Sequence, residues 1–109
     1  MLEKFTAYQM AKHFYWACKD LKVPRILQDQ LVRASSSVAL NLSEASGRRT
    51  EADQRRHYAI AFGSLQECRT ILDLERIGDP KLMKLADELA AILYTLSRKK
   101  IETKTASKN

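Results

Sequence analysis

The sequence predicts an all-α protein, an antiparallel up-down-up-down four-helix bundle, and three observations lead to this fold. Apolar residues recur at alternating spacings of three and four, which is the period of a helix that buries one face. Proline, glycine and capping residues divide the chain into four segments of helical length. No segment alternates strictly between apolar and polar residues, which argues against a sheet. The 109 residues suit a single domain, which we place at residues 1–102.

The first two helices are predicted at about residues 3–21 and 24–46. Val23 and Pro24 separate them, because a residue before proline is extended and proline suits the first turn of a helix. Gly47 is predicted to end the second helix in the left-handed conformation. The predicted seams are Ala7, Ala11, Phe14, Cys18 and Leu21 in the first helix and Leu27, Leu31, Ala34, Val38, Asn41 and Ala45 in the second.

The third and fourth helices are predicted at about residues 51–77 and 80–101. Thr50 is the expected N-cap of the third helix, whereas Gly78, Asp79 and Pro80 supply a stop, a cap and a first helical position. The third helix has more than one apolar stripe, so we expect it to be buried on more than one face. Its stripes comprise Tyr58, Phe62, Leu65 and Leu72 with Ile60, Ser64 and Ile71 beside them, and the fourth helix has Leu82, Leu85, Leu89, Ile92 and Leu96.

The net charge of +6 is unevenly distributed along the chain. Residues 97–109 carry five basic residues against one acid, and we expect residues 103–109 to be a disordered basic tail. A second basic cluster surrounds the turn between the second and third helices. A solvated helix end, whose cations favour the helix dipole, is the alternative to a binding role. The candidate nucleic-acid contacts are Arg48, Arg49, Arg55, Arg56, Arg98, Lys99, Lys100 and Lys104.

Several classes of protein are disfavoured by what the sequence lacks. It has no apolar stretch long enough to span a membrane and no secretory signal in its first residues, so we expect a cytoplasmic protein. Cys18 and Cys68 have no metal-type spacing and are expected to be small buried residues, with a disulfide or a reactive thiol as the alternative. We expect no cofactor, no metal and no enzymatic activity, since no phosphate loop, nucleophile motif or Glu-x-x-His pair occurs.

Polar residues interrupt the apolar pattern of the second and third helices. We expect Asn41, Glu44, Tyr58, Ser64 and Glu67 to form a structural polar network. The reason is that a buried carboxylate needs a cationic or hydrogen-bonding partner. A contact site for a partner or a nucleic acid is the alternative. A hydrolase that uses Glu44 and Glu67 as a pair of carboxylates is the least favoured interpretation.

Two further features predict close packing and self-association. Gly63 lies in mid-helix, where glycine costs about 1 kcal/mol relative to alanine, so we expect another backbone to pack closely there. In the first helix Tyr8, Tyr15 and Trp16 lie outside the main stripe, and surplus apolar surface on a small chain indicates a partner surface. A broad core stripe with scattered exposed aromatic residues is the alternative.

Two blocks of sequence resemble a known family. The first has the pattern Asn-x-x-Glu-x-x-Gly-Arg from Asn41 to Arg48, and the second has Tyr-x-x-Ala-x-Gly-Ser-x-x-Glu from Tyr58 to Glu67. In this order and at this separation they resemble the four-helix-bundle proteins encoded in intervening sequences of 23S rRNA genes. The resemblance covers about residues 5–100, and Ala45 stands where that family usually has glycine.

The resemblance implies a homopentamer with a central channel. It also implies a relation to the accessory proteins of diversity-generating retroelements, which are basic partners of a reverse transcriptase and contact nucleic acid. We therefore expect a non-enzymatic, ring-like homo-oligomer that binds RNA or DNA with little sequence specificity, as an accessory to a reverse transcriptase. The alternative is a structural or protein–protein interaction scaffold with no nucleic-acid role.

Overall fold

Four helices make up the structure, a computed structural model that describes the backbone of residues 2–107 and the side chains of residues 4–98. The helices are α1 (Leu2–Lys19), α2 (Arg25–Ser46), α3 (Glu51–Leu74) and α4 (Pro80–Ser107). The part of the chain that is described contains no strand, which confirms the all-α prediction. None of its helices combines the length and the hydropathy needed to cross a bilayer.

Each helix packs against two others, so the helices surround the core in the order α1, α2, α3, α4. Where α2 meets α3, and where α3 meets α4, rising residue numbers on one helix face falling numbers on the next. The register is given by the pairs Arg33–Glu67 and Asn41–His57 between α2 and α3, and by Phe62–Tyr94 and Arg69–Asp87 between α3 and α4.

The core lies where the four apolar seams meet, and Phe14, Leu31, Leu65 and Leu89 are fully buried in it. The second stripe predicted for α3 is only partly buried. Ile71 lies in the core, but Ile60 is 41% exposed. One face of α3 is therefore open to solvent in the single chain, and its burial against another subunit stays a prediction.

The helix ends show which capping predictions hold. The Thr50 hydroxyl accepts a hydrogen bond from the Asp53 backbone at 3.1 Å, and Asp79 accepts one from the Lys81 backbone at 3.0 Å, so both predicted caps are confirmed. Gly47 is not left-handed, since its φ is −95°. The last turn of α2 instead closes with a bond from the Gly47 backbone to the Glu44 carbonyl, which requires no positive φ.

Helix α3 ends earlier than predicted, at Leu74, and the left-handed residue is Arg76 with a φ of 56°. The Arg76 amide donates to the Asp73 carbonyl, and the Ile77 amide donates to the Leu72 carbonyl. These two bonds are the Schellman ending of a helix, in which glycine usually takes the left-handed position. Here an arginine occupies it, and Gly78 has no positive φ.

Helix α4 continues to Ser107, six residues beyond its predicted end at 101. It therefore includes part of the segment 103–109 for which the sequence predicts disorder. Lys108 and Asn109 lie outside the described residues, and disorder of the tail stays a prediction.

Candidate functional site

The turn between α2 and α3 holds a cluster of arginines at one end of the bundle. Since α2 ends at Ser46 and α3 begins at Glu51, the connecting loop is short and stays close to the helix ends. Two arginines lie on this loop, and two more follow in the first two turns of α3. This arginine turn consists of Arg48, Arg49, Arg55 and Arg56.

Two of these arginines are paired with nearby acids. Arg48 Nη2 lies 3.4 Å from a Glu44 carboxylate oxygen, and Arg56 Nε lies 3.7 Å from an oxygen of Asp53. In both pairs each side chain is more than one-third exposed. Water therefore screens the charges, and each pair contributes little to stability.

The other two arginines keep their charge without an acidic partner. No ion pair among the described residues involves Arg49 or Arg55. Arg49 is exposed, whereas Arg55 is half-buried and its Nη1 has no hydrogen-bond partner within the described chain. The arginine turn therefore retains cationic groups that an anion could engage.

The basic cluster at the end of α4 lies at the same end of the bundle. The rings of Phe62 and Tyr94 are 5.9 Å apart, and the Arg98 guanidinium stacks over the Tyr94 ring at 5.0 Å. Tyr94 of α4 is therefore at the same height along the bundle as Phe62 of α3. Since residue numbers rise along α4 where they fall along α3, Arg98 is at the height of residue 58. It thus lies about 5 Å from Arg55 along the helix axis, at a rise of 1.5 Å per residue. Arg98 and the arginine turn, which are remote in sequence, therefore lie at the same end of the bundle.

Three further predicted contacts follow Arg98 along α4. Lys99, Lys100 and Lys104 belong to the helix, but their side chains lie outside the described residues. Their contribution to the basic end of the bundle stays a prediction.

A hydrogen-bonded network joins α2 to α3 beside the arginine turn. Asn41 Nδ2 donates to the Ser37 carbonyl at 2.9 Å, and the hydroxyls of Ser37 and Ser64 are 2.8 Å apart. Asn41 Oδ1 lies 3.0 Å from His57 Nδ1. The structure therefore links Asn41 and Ser64 of the predicted set, and it does so through Ser37.

His57 extends this network to the arginine turn. The Asn41 amide donates to Ser37 through Nδ2, so the amide oxygen Oδ1 is the atom that accepts a hydrogen bond. The hydrogen between Asn41 and His57 is therefore assigned to His57 Nδ1. His57 Nε2 lies 3.4 Å from Arg56 Nη2 and accepts from it. A buried imidazole ring with a partner at each nitrogen thus connects the network to a cation of the turn.

The two glutamates of the predicted set lie apart from each other. Glu67 pairs with Arg33 of α2 at 2.6 Å, and Glu44 pairs with Arg48. Arg33 and Glu44 are eleven residues apart on α2, which is about 16 Å along the axis. The structure therefore does not form the carboxylate pair that a hydrolase would need. Tyr58 lies in the core, with the Lys4 ammonium 6.0 Å from its ring centroid.

Gly63 does not lie at a helix contact within the chain, which corrects the prediction. It is exposed on α3, and a Cβ built on it meets no atom within 4 Å. Its neighbour Ser64 is the residue that faces α2. The glycine leaves an open recess on the outer surface of α3.

The two cysteines are buried and free, as predicted. Burial raises the pKa of the Cys18 thiol to about 12, although a hydrogen bond with Ser35 lowers it slightly. Burial also raises the pKa of Cys68 well above its usual value, and nearby Cys18 and Glu67 raise it further. Because the thiolate is the reactive form, neither thiol is a nucleophile at neutral pH. Across the described side chains no three metal-ligating residues cluster.

Comparison with known families gives one match, which covers most of the bundle. The family described as 23S rRNA-intervening sequence protein matches residues 3–98. The chain belongs to this family. No curated protein and no solved structure matches the chain. The family match includes the arginine turn and the polar network, and it ends at Arg98.

In this member of the 23S rRNA-intervening sequence family, three side chains of the α2–α3 contact were not predicted from the sequence: Arg33, Ser37 and His57. A signal for two of them was present. Ser37 and Asn41 are four residues apart on α2, and His57 and Ser64 are seven apart on α3, so each pair shares a helix face. Two such polar pairs on adjacent helices predict a hydrogen-bonded network. The prediction also needs the register of the helices, which decides whether the two pairs lie opposite each other.

Proposed function

We propose that this member of the 23S rRNA-intervening sequence family is a non-enzymatic homo-oligomer that binds the phosphate backbone of RNA or DNA. Its bundle is antiparallel and up-down-up-down, and five copies form a ring, as the resemblance implies. It acts in the cytoplasm and, by the same resemblance, as an accessory to a reverse transcriptase. The observation that supports binding is the convergence of the arginine turn and Arg98 at one end of the bundle.

The chemistry of this end suits phosphate rather than bases. Arginine guanidinium groups donate bidentate hydrogen bonds to phosphate oxygens, and their charge attracts the backbone of any sequence. No helix-turn-helix or aromatic RNA platform is recognisable in the sequence. Binding is therefore weakly sequence-specific and strongly dependent on salt. Assembly repeats the same basic end once per subunit and multiplies the number of phosphate contacts.

A titration of fluorescent structured RNA and duplex DNA, followed by anisotropy at several salt concentrations, tests the proposal. The affinity should fall as salt rises, since each neutralised phosphate contributes a slope of about −0.9 in log K against log salt for duplex DNA. The double variant Arg49→Glu, Arg98→Glu should bind at least tenfold more weakly with a shallower slope. Its assembly should not change.

The matched control is Lys81→Glu, Lys84→Glu, which makes the same change in net charge at the opposite end of α4. This variant should lose much less affinity than the first. Equal losses in the two variants would show that only the overall charge matters. Absent or salt-insensitive binding below about 0.1 M salt, where the Debye length exceeds about 10 Å, would contradict phosphate binding altogether.

One observation favours the alternative of a scaffold without a nucleic-acid role. Two arginines of the turn are already paired with acids, Arg48 with Glu44 and Arg56 with Asp53. A scaffold would show wild-type assembly together with no binding in the titration above.

A further inference from the structure

All but one of the large apolar side chains that the bundle leaves exposed, Tyr94 being the exception, fall into two sets on different sides. The described residues include seven such side chains, and four of them lie on α2 and α3. These four are Ile26, Leu40, Ile60 and Leu74, with exposed fractions of 73%, 67%, 41% and 67%. Four exposed apolar side chains on two adjacent helices are many for a chain of this size. Extended apolar patches on small monomers usually mark interaction sites.

The four residues are arranged with a regular spacing. On α2, Arg33 lies seven residues from Ile26 and seven from Leu40; on α3, Glu67 lies seven residues from Ile60 and seven from Leu74. Residues seven apart share one face of a helix. Since Arg33 and Glu67 form an ion pair, the two helix faces border one groove. The α2–α3 face consists of Ile26, Arg33, Leu40, Ile60, Glu67 and Leu74.

The register of the helices pairs these residues level by level. Arg33 is opposite Glu67, so Leu40 is level with Ile60, and the other two apolar residues are level with each other at the far end. The groove therefore has two apolar levels separated by one neutralised ion pair. A surface of this kind is apolar and carries no surplus charge, which suits a protein partner and not a nucleic acid.

The second apolar set lies on the other side of the bundle. Phe5 and Trp16 of α1 are 61% and 51% exposed, and they are eleven residues apart, which is about three turns. They therefore share one face, the α1 face. Because α1 packs between α2 and α4, the α1–α4 pair lies across the core from the α2–α3 pair. Two different apolar faces on one chain allow head-to-tail association, in which one face of each copy contacts the other face of the next. Such a chain of copies forms a ring when the rotation between successive copies brings the last one back to the first.

The two faces also match in shape. Exposed Gly63 leaves a recess beside Ile60, and an aromatic side chain from another copy can enter it.

The dimensions of the α2–α3 face set an upper limit on the contact. Helix α2 has 22 residues, so it is about 33 Å long at 1.5 Å per residue, and two helices side by side are about 20 Å wide. The product is roughly 650 Å², against about 800 Å² per partner in stable complexes of standard size.

We propose that the α2–α3 face of one copy docks onto the α1 face of the next copy. The inference rests on the proposed self-association and assigns the two surfaces that produce it. Gly63 is then the position where the neighbour's aromatic side chain approaches the backbone of α3. This explains a mid-helix glycine that makes no contact within its own chain.

Mixing two variants tests the assignment. Ile60→Glu disrupts the α2–α3 face and Trp16→Glu disrupts the α1 face; both side chains are about half exposed, so the helicity of each variant should stay near wild type. By light scattering, each variant alone should have a mass near the 12.5 kDa of one chain. An equimolar mixture should form a species of two chains and nothing larger, because one intact α2–α3 face can meet one intact α1 face. Gln66→Glu, on the side of α3 that faces α4, is the control and should keep the wild-type mass.

Three results would overturn the proposal in distinguishable ways. If both variants keep the wild-type mass, self-association stands but these faces do not produce it. If each variant is monomeric and the mixture stays monomeric, the contact is not between these two faces. If the wild-type chain itself has the mass of one chain at micromolar concentration, the proposed self-association fails together with the assignment of its faces.

Discussion

The thiols of Cys18 and Cys68 make a prediction about alkaline pH. Both pKa values are raised by burial, so the folded chain holds these protons more tightly than the unfolded chain. The stabilisation that comes from these two protonated thiols is fully present below about pH 8.5, the pKa of a cysteine in the unfolded chain. It is lost as the pH rises above that value. We expect the free energy of unfolding to fall above pH 9, with each thiol adding up to about 1.4 kcal/mol per pH unit to the slope. Urea unfolding at pH 7 to 10 measures this.

A variant with one thiol separates this effect from the titration of lysines and tyrosines. Cys18→Ala should be less stable at neutral pH, because it removes buried volume, but its stability should decline less steeply above pH 9. An alkaline slope equal to that of wild type would show that Cys18 ionises as readily in the folded chain as in the unfolded one.

Each helix end is a place where local conformation decides stability, and the end of α3 has a strained residue. Arg76 has a φ of 56°, a region that costs an ordinary residue roughly 1 kcal/mol or more. Glycine adopts it without that cost but loses more backbone entropy on folding. We expect Arg76→Gly to raise the free energy of unfolding by about 0.5–1 kcal/mol, measured as a shift in the urea midpoint.

The neighbouring residue supplies the control for this substitution. Glu75 has a φ of −90°, which every residue adopts easily, so Glu75→Gly should destabilise the chain by a similar amount. If both glycine variants lower the stability, the left-handed conformation of Arg76 is not a source of strain.

Most of the fold could be predicted from the sequence, because helix ends and apolar periods are local properties. The caps at Thr50 and Asp79 followed from single residues. The left-handed residue was predicted at Gly47 and occurs at Arg76, since the hydrogen bonds that close a helix depend on where the last buried residue lies. The site was less predictable. Its pairing of Asn41 with His57 depends on the register between helices, which no local pattern specifies.

At the scale of the whole molecule, the proposed nucleic-acid binding depends on the proposed assembly. The charge of +6 on a single chain is ordinary, and two arginines of the turn are already paired. A single basic end therefore makes few phosphate contacts. In an assembly the same end recurs in every subunit, so several copies can engage one nucleic acid together.

This coupling predicts that a variant at the end of the bundle opposite the arginine turn weakens binding by disrupting assembly. Trp16→Glu, near the end of α1 that leads into the start of α2, should bind duplex DNA at least tenfold more weakly than wild type, and its slope of log K against log salt should fall towards the value for one subunit. Gln66→Glu makes the same change in net charge and should keep both the affinity and the slope. Anisotropy titrations over a salt series, with the mass measured by light scattering in the same buffers, give both quantities. A monomeric Trp16→Glu variant with wild-type affinity and slope would show that one chain suffices, and the repeated basic end would then have no part in binding.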